Sequence, residues 1–191
     1  MTATGRPFRL LVVCTGNICR SPVVTARLSS GLGPDSGVAV SSAGLQARVG
    51  EPIDPGTAAA AGLEPTGSTA RQLTAQLARD SDLVLVMTAA QRAGVVTLAP
   101  GTVRRTYTLR QFTDLAELVA GDPAVTAADG AAERLAALVR AVPRARSRRV
   151  AGEDDVEDPY RRSPEVHAAV VAQLDRSVGR LLAVLGRPPL G

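Results

Sequence analysis

The sequence predicts an α/β protein, a three-layer sandwich in which helices cover both faces of a central parallel sheet of about four strands. Three observations carry this prediction: short apolar runs of strand length, helical patterns between them, and a glycine-containing loop directly after the first run. Strands that alternate with helices are typical of a parallel sheet buried on both faces. At 191 residues, 45% of them apolar, the chain is expected to fold as one domain over residues 1–191.

The elements are predicted in chain order from apolar spacing and from turn residues. Strands are predicted over residues 8–13, 38–42, 82–87 and 103–106. Helices are predicted over residues 23–32, 55–62, 71–79, 89–98, 111–120, 128–142 and 164–185. Residues 144–158 hold a group of arginines followed by acidic residues, a pattern typical of a solvated, mobile loop. Residues 113–157 are therefore expected to form an inserted or elaborated region of the same domain.

The composition excludes several classes of function. All 22 basic residues are arginines, which excludes lysine-based chemistry, and the net charge of +4 suits anionic ligands in general. Four aromatic residues are too few to provide base-stacking platforms, so nucleic acid is not expected as a partner. No apolar run approaches the ~18 residues that a membrane helix requires, so no membrane insertion is expected.

The two cysteines also restrict the possibilities. Cys14 and Cys19 lie in one short segment, so they cannot staple distant parts of the fold, and a reduced, cytoplasmic location is expected. The one histidine, His167, is far away in sequence, which argues against a zinc site. His167 belongs to an apolar-rich helical pattern and is expected to pack there. No metal or other cofactor is predicted.

The loop of residues 14–22, CTGNICRSP, carries the candidate chemistry. It lies between the first strand and the first helix, where α/β sheets bind ligands and where helix N-termini bind anions. Gly16 allows the loop to curl so that several backbone N–H groups face one centre, and Arg20 can grip two oxygens of a phosphate. These groups favour the thiolate form of Cys14, the form that acts as a nucleophile. Ser21 is placed to donate a hydrogen bond to that sulfur.

The remaining loop residues are assigned to phosphate binding or to loop support. The predicted phosphate-binding set is Thr15, Gly16, Asn17, Ile18, Cys19, Arg20 and Ser21. Asn17 is expected to adopt a strained or left-handed backbone conformation that ties the loop together. Cys19 has two interpretations, a thiol that traps oxidised Cys14 as a reversible disulfide or a small buried filler.

The string CTGNICRSP resembles the signature of the low-molecular-weight protein tyrosine phosphatases, and Asp158-Pro159-Tyr160 resembles the general-acid motif of that family. The similarity extends to residues 42–44, 70–73, 82–87 and 158–170, and so covers most of the chain outside residues 113–150. The resemblance implies the flavodoxin-like topology of that family. Two motifs in the correct order make it specific.

The resemblance also implies a two-step displacement. Cys14 would attack the phosphorus, Arg20 and the loop amides would hold the phosphate oxygens, and Asp158 would protonate the leaving phenolate; water would then attack the phosphocysteine. The same resemblance makes Ser42 the partner of Asn17 and places Tyr160 beside the cleft. A positioned acid contributes about 10²–10⁴-fold to such a step.

Residues 42–50, SAGLQARVG, resemble the bacterial branch that acts opposite tyrosine autokinases in polysaccharide biosynthesis. The aromatic residue that many family members carry in this stretch is absent. The resemblance therefore implies phosphotyrosine proteins as partners, such an autokinase among them. Ser68 stands where the family usually has a histidine that supports the loop asparagine.

Other functions remain open. Protein arginine phosphatases share the fold but usually have threonine where this chain has Ile18, and an apolar residue suits an aromatic ester better. Thioredoxin-coupled arsenate reductases need further cysteines downstream, which this sequence lacks, so that activity is not expected. A hydrolase built on Cys14 and His167 is also not expected, because it would leave Arg20 and Asp158 unexplained. A catalytically silent phosphate- or phosphotyrosine-binding module, with residues 113–150 as a docking surface, would not need Cys14 or Asp158.

Overall fold

The sheet of this protein has four parallel strands in the order β2-β1-β3-β4. The computed structural model describes residues 5–65, 69–150 and 152–186. The strands are β1 Phe8–Cys14, β2 Val38–Gly44, β3 Leu83–Val86 and β4 Thr106–Thr108. This order is the flavodoxin-like one, in which the chain continues to opposite sides of β1. The predicted α/β class and the parallel sheet of about four strands are confirmed.

Eight α-helices and three short 3₁₀ helices connect the strands or follow the last one in the described part of the chain. The α-helices are α1 Arg20–Leu32, α2 Pro55–Ala61, α3 Ala75–Arg79, α4 Ala89–Leu98, α5 Leu109–Leu118, α6 Pro123–Thr126, α7 Ala131–Ala145 and α8 Pro164–Val184. The 3₁₀ helices are Pro34–Ser36, Pro100–Thr102 and Arg146–Arg148. Among these helices, none is both long enough and apolar enough to cross a membrane.

The alternating side chains of β1 divide the core into two layers. Leu10 and Val12 pack into one apolar cluster with side chains of α1, α5, α7 and α8. Leu11 and Val13 face the opposite side and pack with α3 and α4. Because successive side chains of a strand point to opposite faces, the part of β1 that is covered on both sides, Leu10 to Cys14, is apolar at every position, whereas Arg9 near its start is exposed. The continuous apolar run that predicted β1 therefore also predicted the three layers.

The predicted inserted region packs against the same core. Leu135 and Leu138 of α7 are fully buried in the cluster that contains Val12. This packing supports the expectation of one domain over the whole chain, which stays a prediction.

Two predicted elements were wrong in position. The fourth strand was predicted over residues 103–106, but the amide N–H of Arg105 donates to the carbonyl of Thr102 at 2.9 Å, so this stretch closes into turns and pairing begins at Thr106. The helix predicted over residues 71–79 begins only at Ala75. Gln72 forms a bridge to the end of β2 instead.

The charged stretch of residues 144–158 is not simply a solvated loop. Arg146–Arg148 is a 3₁₀ helix, the Arg149 side chain is only 10% exposed, and Val156 is buried. Ion pairs and one apolar anchor therefore hold part of this stretch against the fold, which the charge pattern alone could not indicate.

Candidate active site

The loop between β1 and α1 lies at the topological switch point of the sheet, where the strand order reverses. β1 ends at Cys14 between β2 and β3, and α1 begins at Arg20. In open α/β sheets a crevice forms at this point outside the carboxyl ends of the strands, because the two neighbouring connections run to opposite faces. The topology therefore places the loop in this crevice.

Cys14 is buried at the base of this loop. Its Sγ lies 3.0 Å from Oγ of Ser21, and the backbone N–H of Asn17 donates to the same sulfur at 3.3 Å. The hydroxyl predicted to reach the sulfur is thus in contact with it. Both groups can donate to a negatively charged sulfur, which suits a nucleophile.

Asn17 ties the loop to two neighbouring segments. Its φ is 58°, in the left-handed region expected from the sequence. Its Nδ2 donates to Oγ of Ser21 and to Oγ of Ser42, each at 2.9 Å, and its Oδ1 accepts the N–H of Arg71 at 3.0 Å. Three hydrogen bonds offset the cost of the unusual backbone conformation.

The segment after β2 runs alongside the loop and fixes its backbone. The N–H of Gln46 donates to the carbonyl of Thr15, and the N–H of Arg48 donates to the carbonyl of Gly16, each at 3.0 Å. These bonds occupy the carbonyls of Thr15 and Gly16 and hold this part of the loop in place.

Arg20 is almost fully buried, although it is charged. Its Nη1 donates to the carbonyl of Val156 at 2.9 Å, and its Nη2 lies 2.6 Å from Oδ2 of Asp158. Its Nε is buried and has no hydrogen-bond acceptor among the described residues. A buried donor without an acceptor costs about 1–3 kcal/mol or more when it is charged. An anion bound in the loop would supply the missing acceptor.

Asp158 approaches the loop from the segment before α8. Half of its side chain is exposed, its Oδ2 pairs with Arg20, and its Oδ1 accepts the N–H of Tyr160 at 3.2 Å. The acidic motif at the C-terminal end therefore reaches the loop near the N-terminus.

These side chains surround one pocket of about 160 Å³. Its lining residues are Cys14, Thr15, Gly16, Ile18, Cys19, Arg20, Gln46, Arg48, Asp158 and Tyr160. Ile18 and Tyr160 belong to a small apolar cluster, and the guanidinium of Arg48 lies 5.3 Å from the centre of the Tyr160 ring. The pocket thus combines polar groups at its base with an apolar and aromatic wall. Arg48 and Gln46 were not predicted as site residues.

The two cysteines have different surroundings. Burial raises the pKa of the Cys19 thiol to about 12, although a hydrogen bond with Thr57 lowers it. Cys19 therefore stays protonated at neutral pH, and both cysteines are free thiols.

The single histidine lies outside the pocket lining. His167 is buried on α8, and its Nδ1 is 2.9 Å from Oγ1 of Thr57. The packing role expected from the sequence agrees with this position. Cys14 instead contacts Ser21 and Asn17, which argues against a Cys–His hydrolase.

One supporting residue was missed by the sequence analysis. Gln91 is buried in the first turn of α4, where its Nε2 donates to Oγ1 of Thr15 at 3.1 Å and its Oε1 accepts the N–H of Met87 at 2.9 Å. Its place just after the carboxyl end of β3, next to β1, was the available signal. Ser68, the expected substitute for a supporting histidine, lies outside the described residues.

Over residues 5–65, 69–150 and 152–186, no group of three or more His, Cys, Asp or Glu side chains could hold a metal ion. Two arginines, Arg20 and Arg48, line the pocket and can donate hydrogen bonds to an anion.

The fold and this loop define a class of α/β proteins that carry a buried cysteine and a buried arginine in the loop after the first strand. The model of the family described as low molecular weight phosphotyrosine protein phosphatase matches residues 9–142. This match covers more than half of the chain, so the chain belongs to that family.

Individual relatives agree with this assignment. The chain is 39% identical over 112 residues to the low molecular weight protein-tyrosine-phosphatase Etp of Escherichia coli K12, covering 57% of this chain and 74% of the relative. It resembles the structure of the tyrosine phosphatase Wzb from Escherichia coli K30 in complex with sulphate, with a TM-score of 0.66 and 26% identity over 92% of this chain and 96% of that one. It also resembles the YwlE arginine phosphatase from Geobacillus stearothermophilus, with a TM-score of 0.66 and 27% identity over 94% of each chain.

Proposed function

We propose that this protein is a protein-tyrosine phosphatase that hydrolyses phosphotyrosine through a phosphocysteine intermediate. One observation carries the proposal: the buried Sγ of Cys14, the guanidinium of Arg20 with its unpaired Nε, and the carboxyl group of Asp158 meet at one pocket. A nucleophile, an anion-binding group and an acid are the three parts that this displacement requires.

In the first step the thiolate of Cys14 attacks phosphorus and forms the S–P bond. The P–O bond to the phenol breaks, its electron pair stays on the leaving oxygen, and the proton of Asp158 moves to that oxygen. Arg20 and the backbone N–H groups of the loop hold the other three phosphate oxygens, whose charge they stabilise without reorganising.

In the second step water attacks the phosphocysteine. Asp158, now a carboxylate, takes a proton from the water, the S–P bond breaks, and Cys14 regains its thiolate. Inorganic phosphate leaves. The hydroxyl of Ser21, 3.0 Å from the sulfur, stabilises the thiolate as a leaving group.

The pocket wall favours an aromatic ester over a guanidinium phosphate. Ile18 and Tyr160 present apolar surface that can pack against a phenyl ring. A phosphoarginine side chain would need acceptors for its remaining N–H groups. An arginine phosphatase from Geobacillus stearothermophilus, 36% identical over 110 residues, makes phosphoarginine the substrate to compare directly.

We further propose that the physiological substrates are bacterial phosphotyrosine proteins such as the tyrosine autokinases of polysaccharide biosynthesis, and that the protein acts in the cytoplasm. The resemblance of residues 42–50 to the bacterial branch supports the first proposal. The two free thiols support the second, because free thiols persist in reducing compartments.

The test uses purified, reduced protein with EDTA present. Three peptides of one sequence carry phosphotyrosine, phosphoserine or phosphoarginine at the same position, and released phosphate is measured for wild type and for Cys14→Ser. We expect turnover of the phosphotyrosine peptide by wild type alone, and acid quenching should trap phosphate on the peptide that contains Cys14.

Two outcomes would contradict the proposal. Preference for the phosphoarginine peptide would make the protein an arginine phosphatase. Binding of the phosphotyrosine peptide without turnover by folded wild-type protein would make it a silent binding module.

A further inference from the structure

The segment that carries Asp158 is held in place by contacts outside the pocket. Residues 154–158 form neither helix nor strand. The N–H of Val156 donates to the carbonyl of Met87 at 2.9 Å, and Oδ1 of Asp155 accepts the N–H of Ala89 at 2.7 Å. Both contacts attach the segment to the turn between β3 and α4.

Arg149 attaches the same segment to a different element. Its guanidinium forms hydrogen bonds with both carboxylate oxygens of Asp154, and its Nη2 lies 2.8 Å from Oδ2 of Asp114 on α5. Only 10% of the Arg149 side chain is exposed, against 24% of Asp154 and 32% of Asp114. A partly buried guanidinium that forms two hydrogen bonds with one carboxylate is held more rigidly than a surface ion pair. The two bonds fix both the distance between the groups and their relative orientation.

The position of Asp158 depends on this backbone as well as on its contacts with Arg20 and Tyr160, because half of its side chain is exposed. The carbonyl of Val156, two residues earlier, accepts Nη1 of Arg20 at 2.9 Å. A shift of the segment would therefore move the acid and one contact of the phosphate-binding arginine together. Arg149 lies outside the pocket lining and touches neither of them.

We propose that Arg149 is a positioning residue for Asp158, which it holds at the leaving oxygen by clamping Asp154 against α5. This inference rests on the proposed function, in which Asp158 is the general acid. A displacement of about 1 Å can cost on the order of 10²-fold in rate. Loss of the Arg149 contact should therefore lower the rate only for substrates whose leaving group needs a proton.

The test compares two substrates that differ in that need. Phenyl phosphate releases a basic phenolate, and 2,4-dinitrophenyl phosphate releases a weakly basic one. For Arg149→Met we expect kcat/KM to fall about 10- to 10²-fold with phenyl phosphate and less than about 3-fold with 2,4-dinitrophenyl phosphate. Arg149→Lys should recover part of the loss, because it keeps the charge but not the paired donors.

Arg180→Met is the matched control. Arg180 also pairs with Asp114, at 2.9 Å, but its other partner is Glu117 and it does not contact residues 154–158. It should leave both substrates unchanged. In an Asp158→Asn background, Arg149→Met should cause no further loss with phenyl phosphate, because the group that it positions is gone.

The outcomes separate this inference from the proposed function. Failure of wild type to hydrolyse either substrate would overturn the proposed function. Two results would overturn only the role of Arg149, provided that Asp158→Asn lowers kcat/KM selectively for phenyl phosphate. In the first, Arg149→Met lowers kcat/KM equally for both substrates. In the second, Arg149→Met still lowers kcat/KM for phenyl phosphate in the Asp158→Asn background. Urea unfolding of each variant checks that it folds. If Arg149→Met does not fold, Asp154→Asn replaces it, because this substitution removes the same ion pair at the more exposed partner.

Discussion

The carboxylate of Asp158 lies 2.6 Å from Nη2 of Arg20, although 138 residues separate them in the chain. A phosphate dianion would need the same guanidinium group. A phosphate held by Arg20 would therefore lie beside the Asp158 carboxyl, the group proposed to protonate the leaving phenolate. The pair thus places the proposed acid next to the proposed anion-binding group.

Asp158→Asn should lower kcat/KM for phenyl phosphate by about 10²–10⁴-fold, because the leaving oxygen then departs without a proton. Inorganic phosphate should still inhibit, since Arg20 keeps its charge. Steady-state hydrolysis over a pH range measures both effects. Glu157→Gln, a neighbouring carboxylate that pairs with Arg162, is the control and should change neither. A similar loss in both variants would contradict the role of Asp158.

Arg20→Lys should reduce kcat/KM by roughly 10²–10³-fold, because a lysine ammonium lacks the planar pair of donors. Inhibition by phosphate should weaken in parallel. Arg27→Lys provides the control on the same helix, since Arg27 bonds to Asp175 and to the carbonyl of Ala61. The role of Arg20 would be wrong if Arg20→Lys bound phosphate as tightly as wild type.

Asn17→Ala and Asn17→Gly should separate hydrogen bonding from backbone strain. Both lose the three side-chain hydrogen bonds, but only glycine adopts a φ near 58° without strain. We expect Asn17→Gly to be more stable than Asn17→Ala by about 1 kcal/mol in the free energy of unfolding. Ser42→Ala, which removes one bond, should cost about 1 kcal/mol. Urea unfolding measures all three, and equal stability of the two Asn17 variants would show that strain is unimportant.

Cys19 should make stability depend on pH in the alkaline range. Burial raises the pKa of its thiol from 9.0 to about 12, so the folded state holds the proton more tightly than the unfolded state. The resulting stabilisation is complete below pH 9 and is lost as the pH rises from 9 towards 12, by at most about 1.4 kcal/mol per pH unit. The difference in unfolding free energy between wild type and Cys19→Ser should therefore shrink over that range. A constant difference would contradict the buried, neutral thiol.

Gly31→Ala should destabilise the contact between α1 and α8. A methyl group at Gly31 would lie 2.4 Å from Cδ1 of the buried Leu182, so a side chain or the helix must shift. We expect a loss of about 1–3 kcal/mol. At Gly179 on α8, where a methyl group meets nothing within 4 Å, alanine should instead stabilise the helix by up to about 1 kcal/mol. Urea unfolding of the two variants measures both changes in unfolding free energy. Equal changes in Gly31→Ala and Gly179→Ala would contradict the prediction.

The sequence by itself predicted the α/β class, the first three strands and the position of the loop after β1. The run from Leu10 to Cys14 in β1 is apolar at successive positions, and some of the bonds that hold the loop from Cys14 to Ser21 join residues within it. Such features depend on neighbours along the chain, so spacing and residue type are sufficient to predict them. Boundaries such as those of β4 and α3 were wrong because turns and a bridge to β2 override local preference.

The tertiary structure alone decided which distant groups serve the loop. The contact of Gln91 with Thr15 and the clamp of Arg149 on Asp154 depend on how α4 and α5 pack against the sheet. The sequence contains 22 arginines, and nothing in their spacing distinguishes a buried clamp from a solvated charge. That difference comes from burial and from the partner across the fold, because hydrogen bonds and ion pairs strengthen only where packing excludes water.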